Sequence, residues 1–572
     1  MSDQKDETPE ITPQVVHLID LLKRAKEGRL RVPRFQRDFV WQRQKIVELF
    51  DSIARQYPIG TLFFWGAQPV PSSRSNIGPL RLPDYKGETW LVLDGQQRLT
   101  TLVGVLLADE PQWSTENDDD PGQWRLFYDA QSNVFSHVKS KETIPSYYVP
   151  VTSLLDTVKL FKHLQNMLPS PHPGQQPEGV SHENVFRWVG RAQEVARAIQ
   201  GYRIPLVEIK TNNLSIAVES FSRLNRMGQR IGQDEMFSAL TYEERGTGAF
   251  HLAAEIDKLQ QDMIHSGFGE VDRTILLRAV LTAAGLDMYR TDWTRLGDQV
   301  KQDVRSQLPQ AVNEAARGLR CARRFLRELG VLNARMLPYS MQLVALSAFY
   351  GRCESPTSEQ TTLLKRWFWS SSFAGWFGSG NPARVRRLVD EFRDRVSKEP
   401  APTALEHMEI DQPALPTPLR FDLRSARVRS LLCVMLALKP RRPDGTELEL
   451  EEAARLLFER GPESTSTLCA TVTDRDVKKS PANRVLDVAP DVTGQAKNWI
   501  LTLEPAVRDQ VLSSHAIEPD SFALLMDGDN DAFLKRRLEH LSRIERDFMQ
   551  RAGVVLPDSN EPAPSPIDTD DI

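Results

Sequence analysis

The stretch Thr89-Trp90-Leu91-Val92-Leu93-Asp94-Gly95-Gln96-Gln97-Arg98-Leu99-Thr100-Thr101-Leu102 carries the most information in the chain. Thr89 to Leu93 reads as a strand, Gly95 permits a sharp turn, and the apolar spacing from Leu99 to Leu107 predicts a helix that starts near Leu99. A helix start presents backbone N–H groups without intrahelical partners, and its dipole favours an anion there. Arg98 stands where a guanidinium can grip phosphate oxygens with two parallel hydrogen bonds. Thr100 and Thr101 add hydroxyls, Gln96 and Gln97 add amides, and Asp94 can hold a metal ion, orient water or fix the loop. The competing reading is a plain turn whose polar residues only cap a helix. The unbroken polar run from Asp94 to Arg98, set between two apolar elements, favours an anion site.

Working outward, residues 11 to 28 read as an amphipathic helix with Val15, Leu18, Ile19 and Leu22 on one face. Gln42 to Gln56 reads as a second helix, with Ile46, Leu49, Phe50 and Ile53 at helical spacing. Tyr57-Pro58-Ile59-Gly60 stops it, and Thr61 to Trp65 reads as a strand. Further strands near 124–129 and 204–209 flank a helical insertion, and Phe221 to Tyr242 closes this unit. Three aspartates at 118–120 lack calcium-loop spacing and are interrupted by Pro121, so a solvated turn is expected. The pattern is then mainly helical, with long runs such as Arg317 to Leu329 and Pro382 to Val396. The expected organisation is α+β: an N-terminal domain at 1–245, a helical domain at 246–399, a proline-rich linker at 400–418, a mostly helical C-terminal domain at 419–555, and a disordered acidic tail at 556–572.

A chain of 572 residues exceeds what one hydrophobic core serves, in keeping with several domains. The net charge of −5 does not announce a nucleic-acid binder, although a basic groove can sit on an acidic protein. The four cysteines, Cys321, Cys353, Cys433 and Cys469, form no CxxC pair, so buried free thiols are expected rather than a zinc ribbon or a redox motif. The acidic N-terminus lacks a signal-peptide core and no apolar run reaches transmembrane length, which points to a soluble, cytoplasmic protein with no membrane partner.

Two further segments accompany the turn. Val32-Pro33-Arg34-Phe35-Gln36-Arg37-Asp38-Phe39-Val40-Trp41 packs arginines among aromatics, and Phe221 to Arg230 crowds donors around Gly228. Singly, the first reads equally well as a surface segment with aromatic anchors or as a binding site, and the second reads better as a basic solvated loop. Together with Asp51 to Trp65 and the Leu91 to Leu102 string, they occur in the order of a known family. The chain resembles the GmrSD-type restriction endonuclease N-terminal family, the "DGQQR" proteins of the ParB/sulfiredoxin-like superfamily, over roughly its first 240 residues. The resemblance implies a ParB/sulfiredoxin-like fold and NTP hydrolysis coupled to recognition or cleavage of foreign DNA. It implies a core of Asp94, Gln96, Gln97 and Arg98, supported by Arg37 and Asn225. On that footing Asp94, Gln97 and Arg98 are the expected catalytic group, with Mg²⁺ at Asp94 and water positioned by Gln97. Gly95, Thr100 and Thr101 complete the nucleotide site, and the amides of 99–101 assist Arg98 on the phosphates.

Many relatives carry a C-terminal HNH-type nuclease domain. Here His407, His515 and His540 are the histidines after residue 400, and Asn483 could supply the asparagine. No second histidine follows at a suitable distance, so solvated or core histidines are the favoured reading. Arg384, Arg386 and Arg387, beside a Gly-rich turn and tryptophans, are candidates for DNA contact, while Trp367, Trp369 and Trp376 also suit a helical core. Two functional readings stay open. One is an NTP-hydrolysing, DNA-directed protein of the restriction or anti-phage type, with or without endonuclease activity. The other is a non-catalytic nucleotide-sensing or DNA-binding module that regulates a partner nuclease or toxin, or works as a homo-oligomer.

Overall fold

The computed structural model describes residues 9–34, 36, 39–67, 73–111, 113–114, 120–138, 144–167, 182–211, 216–217, 220, 250, 252–290, 298–378, 381–396, 410, 412–452, 465–486 and 496–556. The chain divides into two compact units: residues 1–254 with 292–301, and residues 255–291 with 302–572.

The first unit is built on a five-stranded sheet. Its strands are β1 (Glu10–His17), β2 (Leu30–Arg31), β3 (Leu62–Ala67), β6 (Thr89–Asp94) and β10 (Arg203–Lys210), with β4 (Asn76–Ile77) and β5 (Leu80–Arg81) forming a small hairpin between β3 and β6. The order is β1-β10-β3-β6-β2. β1 pairs antiparallel with β10 and β3 with β6, while β10–β3 and β6–β2 are parallel. A second, three-stranded sheet places β7 (Leu126–Asp129) between β8 (Val134–His137) and β9 (Tyr148–Pro150). Helices α1 (Leu18–Lys26), α2 (Arg43–Ala54), α3 (Gln96–Leu106), α4 (Thr157–Met167) and α5 (His182–Gln200) complete the unit.

Most of these elements follow from apolar spacing. α2 buries Ile46, Leu49, Phe50 and Ile53, as its periodicity requires. The helix expected over 11–28 is instead the strand β1 followed by the helix α1. Pro13 accounts for the difference: it would break a helix interior but is tolerated on an edge strand, and β1 is the edge of the sheet. Val15 accordingly stands on β1 at 67% exposure, whereas Leu18, Leu21, Leu22 and Ala25 of α1 are buried. The helix expected from Leu99 starts three residues earlier, with Gly95 as its N-cap at φ 87°.

The second unit is mainly helical and shares one core between the middle and C-terminal parts of the chain. Trp367, Trp369 and Trp376 are buried, as expected of a helical core, and Trp369 meets Phe548 edge-on at 4.9 Å. Leu415 N donates to Phe373 O and Ala414 N to Val555 O, so the end of the proline-rich segment is packed. Arg427 and Glu545 form a buried bidentate pair at 2.5 and 2.7 Å, joined by the Thr417 hydroxyl. Cys321, Cys433 and Cys469 are buried free thiols, and burial pushes Cys433 up to about 12. Among the described residues, no helix is long and apolar enough to cross a membrane.

Candidate functional site

β6 delivers Asp94 to the turn, and Gly95 makes the corner in the left-handed region that a side chain resists. A Cβ on Gly95 would come within 2.2 Å of Leu62, so only glycine lets β3 approach so closely. The first intrahelical bond of α3 runs from Leu99 N to Gly95 O at 2.8 Å. The amides of Gln96, Gln97 and Arg98 therefore precede the helical ladder. The expected amide set at 99–101 lies within the helix, because the helix begins three residues earlier than the apolar pattern suggests. Burial alternates along the junction: Asp94, Gln96 and Arg98 are half-buried, and Gly95, Gln97 and Leu99 are buried.

Arg98 is held on two sides. Nη2 donates to Asp94 Oδ2 at 2.8 Å, and Nη1 donates to Ile59 O at 2.7 Å. Its side chain is 14% exposed and that of Asp94 is 36% exposed. The neighbouring Gly60, at φ 85°, makes room for the guanidinium: a Cβ there would sit 2.4 Å from Nη1. The Tyr57-Pro58-Ile59-Gly60 stop after α2 is thus part of the site. In the sequence it reads only as a helix terminator, and the glycine at 60 is the one signal there of a further role.

The segment at 32–41 reaches the same junction. Gln36 is buried and its Nε2 donates to Val92 O and Leu93 O, at 2.8 and 2.9 Å, immediately before Asp94. With Nε2 fixed by two carbonyls, Gln36 Oε1 is left a buried acceptor with no hydrogen-bond partner among the described residues. Val40 N donates to Gln97 Oε1 at 2.9 Å, which engages the carboxamide expected to position water. Thr100 and Thr101 differ from their expected place. Both are buried, and the Thr101 hydroxyl donates to Gln97 O at 2.8 Å, because the earlier helix start turns these positions into the core. Arg37 and Asn225, and with Asn225 the whole 221–240 segment, lie outside the described residues. So does most of the acidic run, but Asp120 is not simply solvated, since Arg43 grips it bidentately at 2.8 and 2.6 Å.

Among the described residues, no group of three or more His, Cys, Asp or Glu side chains is placed to hold a metal ion. A single carboxylate at Asp94 suits Mg²⁺, which is commonly held by one or two carboxylates together with substrate phosphates.

The residues considered for an HNH centre are committed to structure. Asn483 is buried, accepting from Cys469 N and donating to Cys469 O and Lys478 O. His515 is buried, donates through Nε2 to Arg441 O at 2.9 Å and packs on Trp499; burial lowers its pKa to about 4. The fully buried Arg537 binds His515 O, Arg484 O and Ala482 O beside them, and burial lowers it to about 9. His540, half-buried rather than on the open surface, faces Glu518 at 3.3 Å, and His407 lies outside the described residues. Of the candidate DNA-contact arginines, Arg386 pairs with Asp287 at 2.6 Å and Arg387 with Glu391 at 3.1 Å, while Arg384 stacks over Trp376 at 4.8 Å. Arg386 and Arg387 border a surface cleft of about 660 Å³ that Asp287, Asp390, Glu391 and Asp394 also line, so carboxylates outnumber the arginines there.

Residues 18–242 match the family described as GmrSD restriction endonuclease, N-terminal domain. The chain is also similar to an uncharacterized protein of Methanocaldococcus jannaschii, 23% identical over 459 residues, covering 70% of this chain and 71% of that protein. That coverage extends well past the N-terminal domain.

Proposed function

We propose that this is a nucleotide-dependent, DNA-directed protein of the restriction or anti-phage type, with the 94–98 turn as its phosphate site, a reading supported by the match of residues 18–242 to the GmrSD restriction endonuclease N-terminal domain family. The observation that carries the reading is convergence. Three segments far apart in sequence meet at one strand–helix junction: 59–60 and Asp94 hold Arg98, and 36–40 binds the end of β6 and Gln97 beside it. A plain capping turn has no use for two glycines that clear space for a guanidinium. In this reading the nucleotide's phosphates lie against the amides of Gln96 to Arg98 and exchange with the Asp94 and Ile59 contacts of Arg98. Asp94, released from Arg98, would hold Mg²⁺, which supplies charge neutralisation on the phosphates. Gln36 Oε1, an acceptor next to the junction that no described residue meets, offers a nucleotide donor group a partner.

The test is phosphate release from each of the common nucleoside triphosphates by purified protein, with and without duplex DNA. Turnover stimulated by DNA is expected, and no turnover with any of them would remove the enzymatic reading. The second reading, a nucleotide-sensing module that regulates a partner nuclease or toxin, is favoured by one observation. Asn483 and His515 are locked in the core, so neither is available for metal-dependent cleavage. Supercoiled-plasmid cleavage with magnesium separates the two readings on the nuclease question.

A further inference from the structure

We infer that the helix Asp298–Glu328 carries the DNA-backbone contact surface of the second unit, on the face formed by Arg317, Arg320, Arg323, Arg324 and Arg327. The inference rests on the DNA-directed reading above and assigns that reading a place. At about 100° per residue the five arginines fall within roughly 120° of the helix circumference. The same arc, followed from Gln302 to Arg327, holds no Asp or Glu. The opposite side is apolar and buried through Leu319, Ala322, Phe325 and Leu326, so packing fixes which way the arginines face.

Charge pairing on this face is thin. Arg317 reaches Glu354 at 3.0 Å and Arg327 pairs with Glu451. Arg320 and Arg323 have no ion pair among the described residues, and Arg324 donates only to the Cys321 thiol at 3.1 Å. The like charges repel one another: beyond its partial burial, Arg323 feels Arg327, Arg324 and Arg320, with Asp262 opposing them. A protein with net charge −5 that concentrates unpaired guanidinium groups on one rigid helix face has built a polyanion surface. Arg320 to Arg327 spans about 10 Å along the axis, which matches about three phosphates of one DNA strand at roughly 3.4 Å per step. Guanidinium forks suit phosphate oxygens, whereas the arginines at 384–387 are largely taken up by carboxylates.

The experiment compares the full-length protein with R320Q/R324Q/R327Q and with R384Q/R387Q for binding to a random-sequence duplex across a salt series. Thermal unfolding checks that each variant is folded, and the three replaced helix residues are all exposed. The expected result is a loss of affinity on the order of tenfold or more at about 100 mM salt for the helix variant. Its slope of log K against log salt should fall by roughly 2 to 3, and R384Q/R387Q should keep the wild-type slope. Wild-type binding with an unchanged slope in the helix variant, or a slope lost only in R384Q/R387Q, overturns the inference while leaving the DNA-directed reading intact. A wild-type protein that binds no duplex at low salt overturns both, and an acidic protein partner then becomes the occupant to seek.

Discussion

Gly60 and Arg98 are matched so closely that a Cβ on Gly60 would stand 2.4 Å from Nη1 of Arg98, in a backbone conformation of φ 85° that side chains resist. The loop after α2 therefore sets where the arginine of the turn can lie.

Gly60→Ala is expected to cost about 1 to 2 kcal/mol of stability from the positive φ and to displace Arg98. Gly267→Ala separates the two effects, since Gly267 has φ 79° and nothing within 4 Å of an added Cβ. Both variants should unfold earlier in urea, but only Gly60→Ala should lower nucleotide affinity or turnover, by about tenfold. Equal effects of the two on nucleotide handling would separate Gly60 from the site.

The Val40 N–H to Gln97 Oε1 bond ties the 32–41 segment to α3. Gln97→Leu removes the acceptor of that partly buried bond, and a loss of roughly 1 kcal/mol is expected in urea unfolding. Gln97→Glu keeps an acceptor and should lose less. A stable Gln97→Leu protein with reduced turnover would instead return Gln97 to a direct role with water.

Glu545 is fully buried against Arg427 and the Thr417 hydroxyl. Truncation to Ala strands a buried guanidinium and should cost about 3 to 5 kcal/mol, seen as a lowered midpoint of denaturation. Arg427 also stands over Phe373 of the middle part at 5.0 Å, so the middle and C-terminal parts should lose structure in one transition; separate transitions of these two parts in the wild type would contradict the shared core.

His515 is held neutral by burial, its pKa lowered from an ordinary 6.5 to about 4. Its contribution is complete above the unfolded value, where both states are neutral. As pH falls from about 6.5 to about 4, the unfolded chain takes up a proton that the folded chain refuses, and stability drops by up to roughly 3 kcal/mol. His515→Gln should flatten that part of the stability curve. An unchanged slope between pH 6.5 and 4 in the variant would show that the histidine is not the group responsible.

Much of the first unit was legible where one periodicity dominates. α2 and β6 follow from their apolar spacing, and the turn at Gly95 follows from a glycine between strand and helix. The stretch 11–17 misled because Val15 and Leu18 also fit a helical face; Pro13 was the contrary signal, and the edge position that accommodates it is a tertiary fact. Thr100 and Thr101 were misplaced by three residues of helix boundary, enough to rotate a side chain from the open side into the core. The role of Ile59 was invisible because a backbone carbonyl carries no residue-type signature. The arginine face at 317–327 was open to view, but amphipathicity drew attention to its buried side.

The central claim is that the 94–98 turn handles the phosphates of a nucleotide through Arg98. Phosphate release by wild-type and Arg98→Ala protein, with duplex DNA present and folding verified by thermal unfolding, addresses it most directly. A loss of about 100-fold or more is expected in the variant, on the scale of removing one charge-stabilising donor. Full turnover in a folded Arg98→Ala protein would contradict it.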